Sequence, residues 1–85
     1  MQTMEIKKAI ALLEDWDPFQ AGKKAYEHEI TDVIAELHRL DHPTDLAKRI
    51  REIYEQSHQL WIPIEQCVQI SYKLIAIKYE AKSIV

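Results

Sequence analysis

Residues 24–40 read KAYEHEITDVIAELHRL, and their apolar positions decide the fold. Tyr26, Ile30, Val33, Ile34, Leu37 and Leu40 follow one another at steps of four, three, one, three and three. That spacing lays one apolar stripe along a helix and gives a strand no period of two to use. Glu27 and Glu29 stand in the opening turns and His38 and Arg39 in the closing one, the charge order that a helix dipole favours. The pattern predicts a helix over 24–40.

The same period continues on both sides. Ile6, Ile10 and Leu13, with Ala9 and Leu12 beside them, predict a first helix over 4–15, with Thr3 as its N-cap. Pro18 disfavours helical dihedrals at Asp17, so Trp16-Asp17-Pro18-Phe19 forms a corner. Asp17 is placed to cap a short turn opened by Pro18 and closed by Gly22. Beyond Asp41-His42-Pro43 a third helix begins with Pro43 in its first position, or with Thr44 as its cap. Leu46, Ala47, Ile50, Ile53 and Tyr54 form its inner face, and residues 56–62 read as a connection. Pro63 opens a fourth helix, with Glu65 placed to reach back to its free N–H groups. One of its stripes runs through Ile64, Cys67, Val68, Ser71, Leu74 and Ile75, and a second through Ile70, Ile77 and Ile84. A helix with two stripes is either central to its bundle or shared with a second chain, here a homodimer through Ile70 and Ile77. With 85 residues, one glycine and three prolines, the chain has few turns. It reads as one helical domain over 1–85, an all-α, four-helix, mainly antiparallel bundle.

Composition excludes several function classes. Residues 1–40 hold five basic and eight acidic side chains, a net −3, whereas residues 41–85 hold six of each. A phosphate backbone asks for the opposite balance, so no nucleic-acid partner is expected. Cys67 is the only cysteine, which excludes an internal disulfide and suits a reducing cytoplasm. The apolar run at 9–13 is too short for a signal peptide and no stretch reaches the roughly 20 residues of a membrane span, so the expectation is a cytoplasmic protein without a membrane partner.

Residue spacing argues against the common catalytic and metal-binding patterns. His38 and His42 are four apart, but Arg39 stands where a zinc protease needs Glu, and Pro43 bends His42 out of the helix. Cys67 lies on an apolar stripe, where a thiol packs as a small hydrophobe. Ser57-His58 lacks the glycines of a nucleophile elbow. Glu29, Asp32 and Glu36 share one helix face, but no Glu-x-x-His motif accompanies them, and the face is either solvated or partner-binding. The expectation is a protein with no enzymatic activity, metal or cofactor.

What stands out is an acidic corner, Asp15, Trp16, Asp17, Tyr26, Glu27 and Glu29, where two aromatic rings bracket a group of carboxylates. Such a corner suits a basic protein partner, with Trp16 and Tyr26 as anchors, unless both rings are core plugs. Trp61, between Leu60 and Ile62, either caps the bundle end or forms an exposed apolar patch that needs a partner. A protein-interaction module is therefore the leading expectation, and an immunity or antitoxin-type protein that neutralises a basic partner is the alternative.

One series of motifs spans nearly the whole chain. Trp16-Asp17-Pro18, Tyr26-x-x-Glu29-Ile30, Asp45-Leu46-Ala47-x-x-Ile50, Ile53-Tyr54-Glu55-x-Ser57, Ile62-Pro63-x-x-x-Cys67 and Lys73-Leu74-x-x-Ile77-Lys78 occur in this order. Together they resemble the YugE-like family of small bacterial proteins of unknown function. The resemblance implies a small cytoplasmic four-helix protein and carries over no functional residues. The chain departs from it at His42 and at Leu60-Trp61.

Overall fold

Each apolar stripe becomes the inner face of a helix. The computed structural model describes residues 3–83, with α1 at Thr3–Trp16, α2 at Glu27–Arg39, α3 at Pro43–His58 and α4 at Ile64–Ser83. A 3-10 turn over Lys23–Tyr26 leads into α2, so the helix expected from residue 24 begins as a tighter turn. No strand occurs among the described residues. The expectations for Ile84 and for the Thr3 side chain lie outside what the structure describes.

Contacts at the helix ends fix the topology. The start of α2 meets the end of α3 through Glu29 and His58, and the end of α4 meets the end of α2 through Lys78 and Leu37. With α1 packed on both α2 and α4, the chain runs up, down, up, down in an antiparallel bundle. Ala9 and Leu13 of α1, Ile30, Val33 and Leu37 of α2, Leu46, Ile50 and Tyr54 of α3, and Cys67 and Leu74 of α4 meet in one core. Each fully buried aliphatic side chain contributes about 1.5–3 kcal/mol, an upper estimate because the unfolded chain already hides some surface.

α4 proves to be the central helix. Cys67, Ile70, Ser71, Leu74, Ile75 and Lys78 are all buried, a wide arc that faces α1 on one side and α3 on the other. Ile70 therefore lies inside the chain and Ile77 is half-buried, so the two do not form an outer stripe.

The helix ends follow local chemistry. Pro43 is the first residue of α3, and extended backbone at His42 leads into it without a side-chain cap, so the Thr44 alternative is not used. α3 runs to His58, three residues into the expected connection, and ends on Gln59 in the left-handed region with φ 55°. The last turn of α2 is closed from a distance by Lys78. Its Nζ donates to Leu37 O at 2.7 Å, Leu40 O at 3.0 Å and Asp41 Oδ1 at 2.8 Å, with His38 O at 3.4 Å.

Candidate functional site

The acidic corner is built around one carboxylate. Asp17 follows α1 with φ +32°, a conformation that Asp tolerates better than most residues. Its Oδ1 accepts the Ala21 N–H at 2.8 Å and its Oδ2 the Gly22 N–H at 3.1 Å, so it caps the turn as its position implied. Tyr26 adds a third bond, donating its hydroxyl to Asp17 Oδ1 at 2.5 Å while accepting the Phe19 N–H at 3.1 Å. Three backbone amides of the loop, those of Phe19, Ala21 and Gly22, thus converge on one phenol and one carboxylate. Gly22, at φ +97°, supplies the turn conformation that side chains resist.

This geometry sets the electrostatics. The Tyr26 hydroxyl, then the backbone amides, hold the Asp17 carboxyl below its ordinary value against a smaller opposing effect of burial. Burial, and then the hydrogen bond to Asp17, push the Tyr26 phenol up. A carboxyl depressed in the folded state adds stability that is present above its unfolded value and is lost as pH falls through its folded value. Wild type should therefore lose melting temperature below about pH 4, and Asp17→Asn should show a shallower loss over the same range. Identical pH profiles from pH 5 downward would show that the Asp17 contacts add nothing.

The structure separates the six corner residues. Tyr26 is completely buried, its ring 5.4 Å from that of Tyr54 and 5.2 Å from that of His58. Trp16 is half-buried, edge-on to Tyr54 at 5.2 Å. Glu29 turns inward, with Oε1 3.3 Å from His58 Nε2. The two groups are in close polar contact without a hydrogen bond between them. Asp15 and Glu27 are exposed. The corner therefore leaves two of its carboxylates at the surface, while its aromatic pair packs towards the core.

Other side chains matter that spacing did not single out. Glu55 Oε2 accepts the Ile62 N–H and the Arg51 Nε, both at 3.0 Å, and so fixes the loop before α4. These bonds, with the backbone amide first, hold its carboxyl below the ordinary range. Among the described residues Glu65 shows no bond to the first amides of α4, and Glu55 instead holds the loop just before that helix. Arg39, first by its hydrogen bond, and Arg49 do the same for Glu36 on the outer face of α2. Cys67 is buried and its thiol is pushed up to about 11, first by burial. Among the described residues no group of three or more His, Cys, Asp or Glu is arranged to hold a metal, and no helix is long and apolar enough to cross a membrane.

The other prominent surface lies along the α3–α4 hairpin. Trp61 is 67% exposed, Tyr72 61%, Leu60 53% and Tyr79 47%. The Arg51 guanidinium lies over one face of the Trp61 ring, 5.7 Å from its centre, and most of the ring stays open to solvent. Beside it Lys48, Arg51, Glu52, Glu55 and Ile64 line an open hollow of about 300 Å³. Ile64 and Val68, half-buried, continue the strip along α4 towards Tyr72 and Tyr79. Of the two readings of Trp61, the structure shows the exposed patch.

Comparison with known proteins agrees with this architecture. A family model described as Domain of unknown function (DUF1871) matches residues 8–84. The chain is 34% identical over 73 residues to the Uncharacterized protein YugE of Bacillus subtilis (strain 168), covering 86% of this chain and 85% of that protein. The crystal structure of APC36109 from Bacillus stearothermophilus matches it with a TM-score of 0.90 at 29% identity, covering 94% of this chain and 99% of that one. From fold and sequence together, the chain belongs to the DUF1871 family of unknown function, as its YugE-like motifs implied.

Proposed function

We propose that this protein is a non-enzymatic interaction module, and that its contact surface is the apolar strip centred on Trp61. The observation that carries the reading is the exposure of Trp61, two-thirds open to solvent with Arg51 over one face of its ring. Exposed tryptophan is among the side chains that most often dominate the binding energy of an interface, because it buries a large apolar area on contact. The occupant of this surface is a protein face that offers apolar side chains to the strip. Trp61→Ala should leave the melting curve within about 0.5 kcal/mol of wild type, because little of the ring is packed, and should weaken association by 2 kcal/mol or more, roughly 30-fold.

The second reading is an immunity or antitoxin-type protein whose basic partner is steered to the acidic corner. The exposure of Asp15 and Glu27 supports it. A photo-crosslinking residue placed at position 61 in one variant and at position 27 in another separates the two in living cells. A specific product from position 61 supports the strip, and a product from position 27 alone moves the function to the corner. Silence at both positions overturns the interaction reading.

A further inference from the structure

We infer that the Trp61 end of the strip receives a cationic amphipathic segment of another protein, which seats an apolar side chain against Leu60 and Trp61 and sets its positive charges against carboxylates at the same end of the bundle. The inference rests on the interaction reading above and names the chemistry of the partner. The topology brings the two features together. With the chain running up, down, up, down, the end of α1, the start of α2, the end of α3 and the start of α4 share one end of the bundle. Side chains meet across that end. The rings of Phe19 and Tyr26, from the segment between α1 and α2, lie 5.0 and 5.2 Å from the ring of His58, and Glu29 of α2 approaches His58 Nε2 to 3.3 Å. His58 closes α3, and the exposed Leu60 and Trp61 follow it directly after Gln59.

The charge at this end decides which partner fits. Glu27 opens α2, and Glu65 lies in the first turn of α4, four residues after Trp61. Both are exposed, and neither has an ion-pair partner among the described residues. The segments that meet here, residues 14–29 and 55–66, hold seven acidic and two basic side chains, whereas the rest of the chain holds seven acidic and nine basic. The negative excess of the protein is therefore gathered at the end that carries the exposed tryptophan. The cations that line the hollow do not cancel it. Arg51 is taken up by Glu55, with Nε 3.0 Å from Oε2, and Lys48 stands ten residues before His58 along α3, about 15 Å from the end. Negative charge around an apolar anchor selects a segment in which lysine or arginine accompanies apolar residues, since the field steers its approach and the apolar contact holds it. Size fits a segment as well. The bundle measures 24 by 17 Å across its long axis, so about sixteen residues of helix, or about seven of extended chain, cross its end.

A labelled synthetic helix of about sixteen residues, with leucine on one face and lysine on the other, is the probe, and fluorescence anisotropy with the full chain is the measurement. Wild type should bind it with a dissociation constant on the order of 10 µM at about 0.01 M salt and lose most of that affinity at about 1 M. A counterpart with glutamate in place of lysine should not bind. Trp61→Ala should weaken binding of the lysine probe roughly 30-fold, and Glu27→Gln combined with Glu65→Gln roughly fivefold. Asp45→Asn combined with Glu80→Gln removes the same charge from the opposite end, and should change binding by less than about twofold. All five side chains are exposed, so each variant should melt as a folded bundle. Equal binding of the two probes overturns the inference. So does an unweakened Trp61→Ala variant, or an equal loss from the two carboxylate pairs. The photo-crosslinking residue at position 61 distinguishes this failure from that of the interaction reading. In cells, linkage to a segment of another protein rich in lysine or arginine and apolar residues supports the inference. Linkage to any other segment overturns it and leaves the interaction reading standing, and no linkage overturns both.

Discussion

Replacing Lys78 with Met should lower the melting temperature by about 15 °C, with the bundle still helical below the transition. An ammonium has three N–H donors, and the three nearest acceptors of Lys78 are Leu37 O, Leu40 O and Asp41 Oδ1, all within 3.0 Å. Two of these are carbonyls at the end of α2, where a helix leaves its last four carbonyls without internal partners. Methionine keeps the apolar stem and removes the donors, leaving carbonyls orphaned around a side chain that is only 6% exposed. An unsatisfied buried acceptor costs about 1–3 kcal/mol, so a loss near 3 kcal/mol follows, and each kcal/mol moves a domain of this size by roughly 4–8 °C. The ion pair with Asp41 is a smaller effect, because that carboxylate is half-exposed and such pairs contribute about 0–1 kcal/mol. Asp41→Asn should therefore cost less than a third of what Lys78→Met costs in parallel thermal melts. Equal losses would assign the contact to charge pairing and not to capping.

Lys78 also shows how far the sequence could be read. The helices were legible because each apolar stripe is a local property, and Pro43 marked the start of α3 because a missing N–H does no harm there. Lys78 lies four residues beyond Leu74 on the same inner face, so the position was visible, but the carbonyls that it meets belong to a segment some forty residues away. No period reveals such a partner. Glu29 is a similar case. Three residues after Tyr26 and four before Val33, it shares their inner face, yet its charge suggested solvent. His58, distant in sequence, closes over it with a ring 5.0 Å from that of Phe19. Of the acidic corner, Asp17 and Tyr26 meet in the fold, whereas Glu29 turns inward and Asp15 and Glu27 face solvent. That Tyr26 closes the turn instead of facing outward depends on the path of residues 17–26, with positive φ at Asp17, Gln20 and Gly22, and only the glycine announced such a conformation in advance.

The same chemical change made at two touching tyrosines should give opposite results. Tyr26 and Tyr54 are both fully buried, with rings 5.4 Å apart. The Tyr26 hydroxyl joins Asp17 to the Phe19 amide, whereas the Tyr54 hydroxyl has no hydrogen-bond partner among the described residues. Burial, reinforced by the negative charge of Glu29, pushes the Tyr54 phenol well above its ordinary range. Tyr26→Phe deletes a hydroxyl that makes two bonds, one to a charged group, and should cost about 2 kcal/mol. Tyr54→Phe deletes a hydroxyl whose burial is uncompensated, and should fall between neutral and about 1 kcal/mol more stable. Tyr26→Ala, which also empties the space between Phe19, Tyr54 and His58, should cost about 4 kcal/mol, most of what a domain of this size possesses. Urea unfolding followed by circular dichroism gives all three as shifts in midpoint at a common slope. The comparison also bears on function. If Tyr26→Phe proved as harmless as Tyr54→Phe, the bond to Asp17 would not hold the corner together, and that carboxylate would be available to recruit a basic partner. A cost confined to Tyr26 instead means that Asp17 and Tyr26, which stand out in the sequence, build the loop.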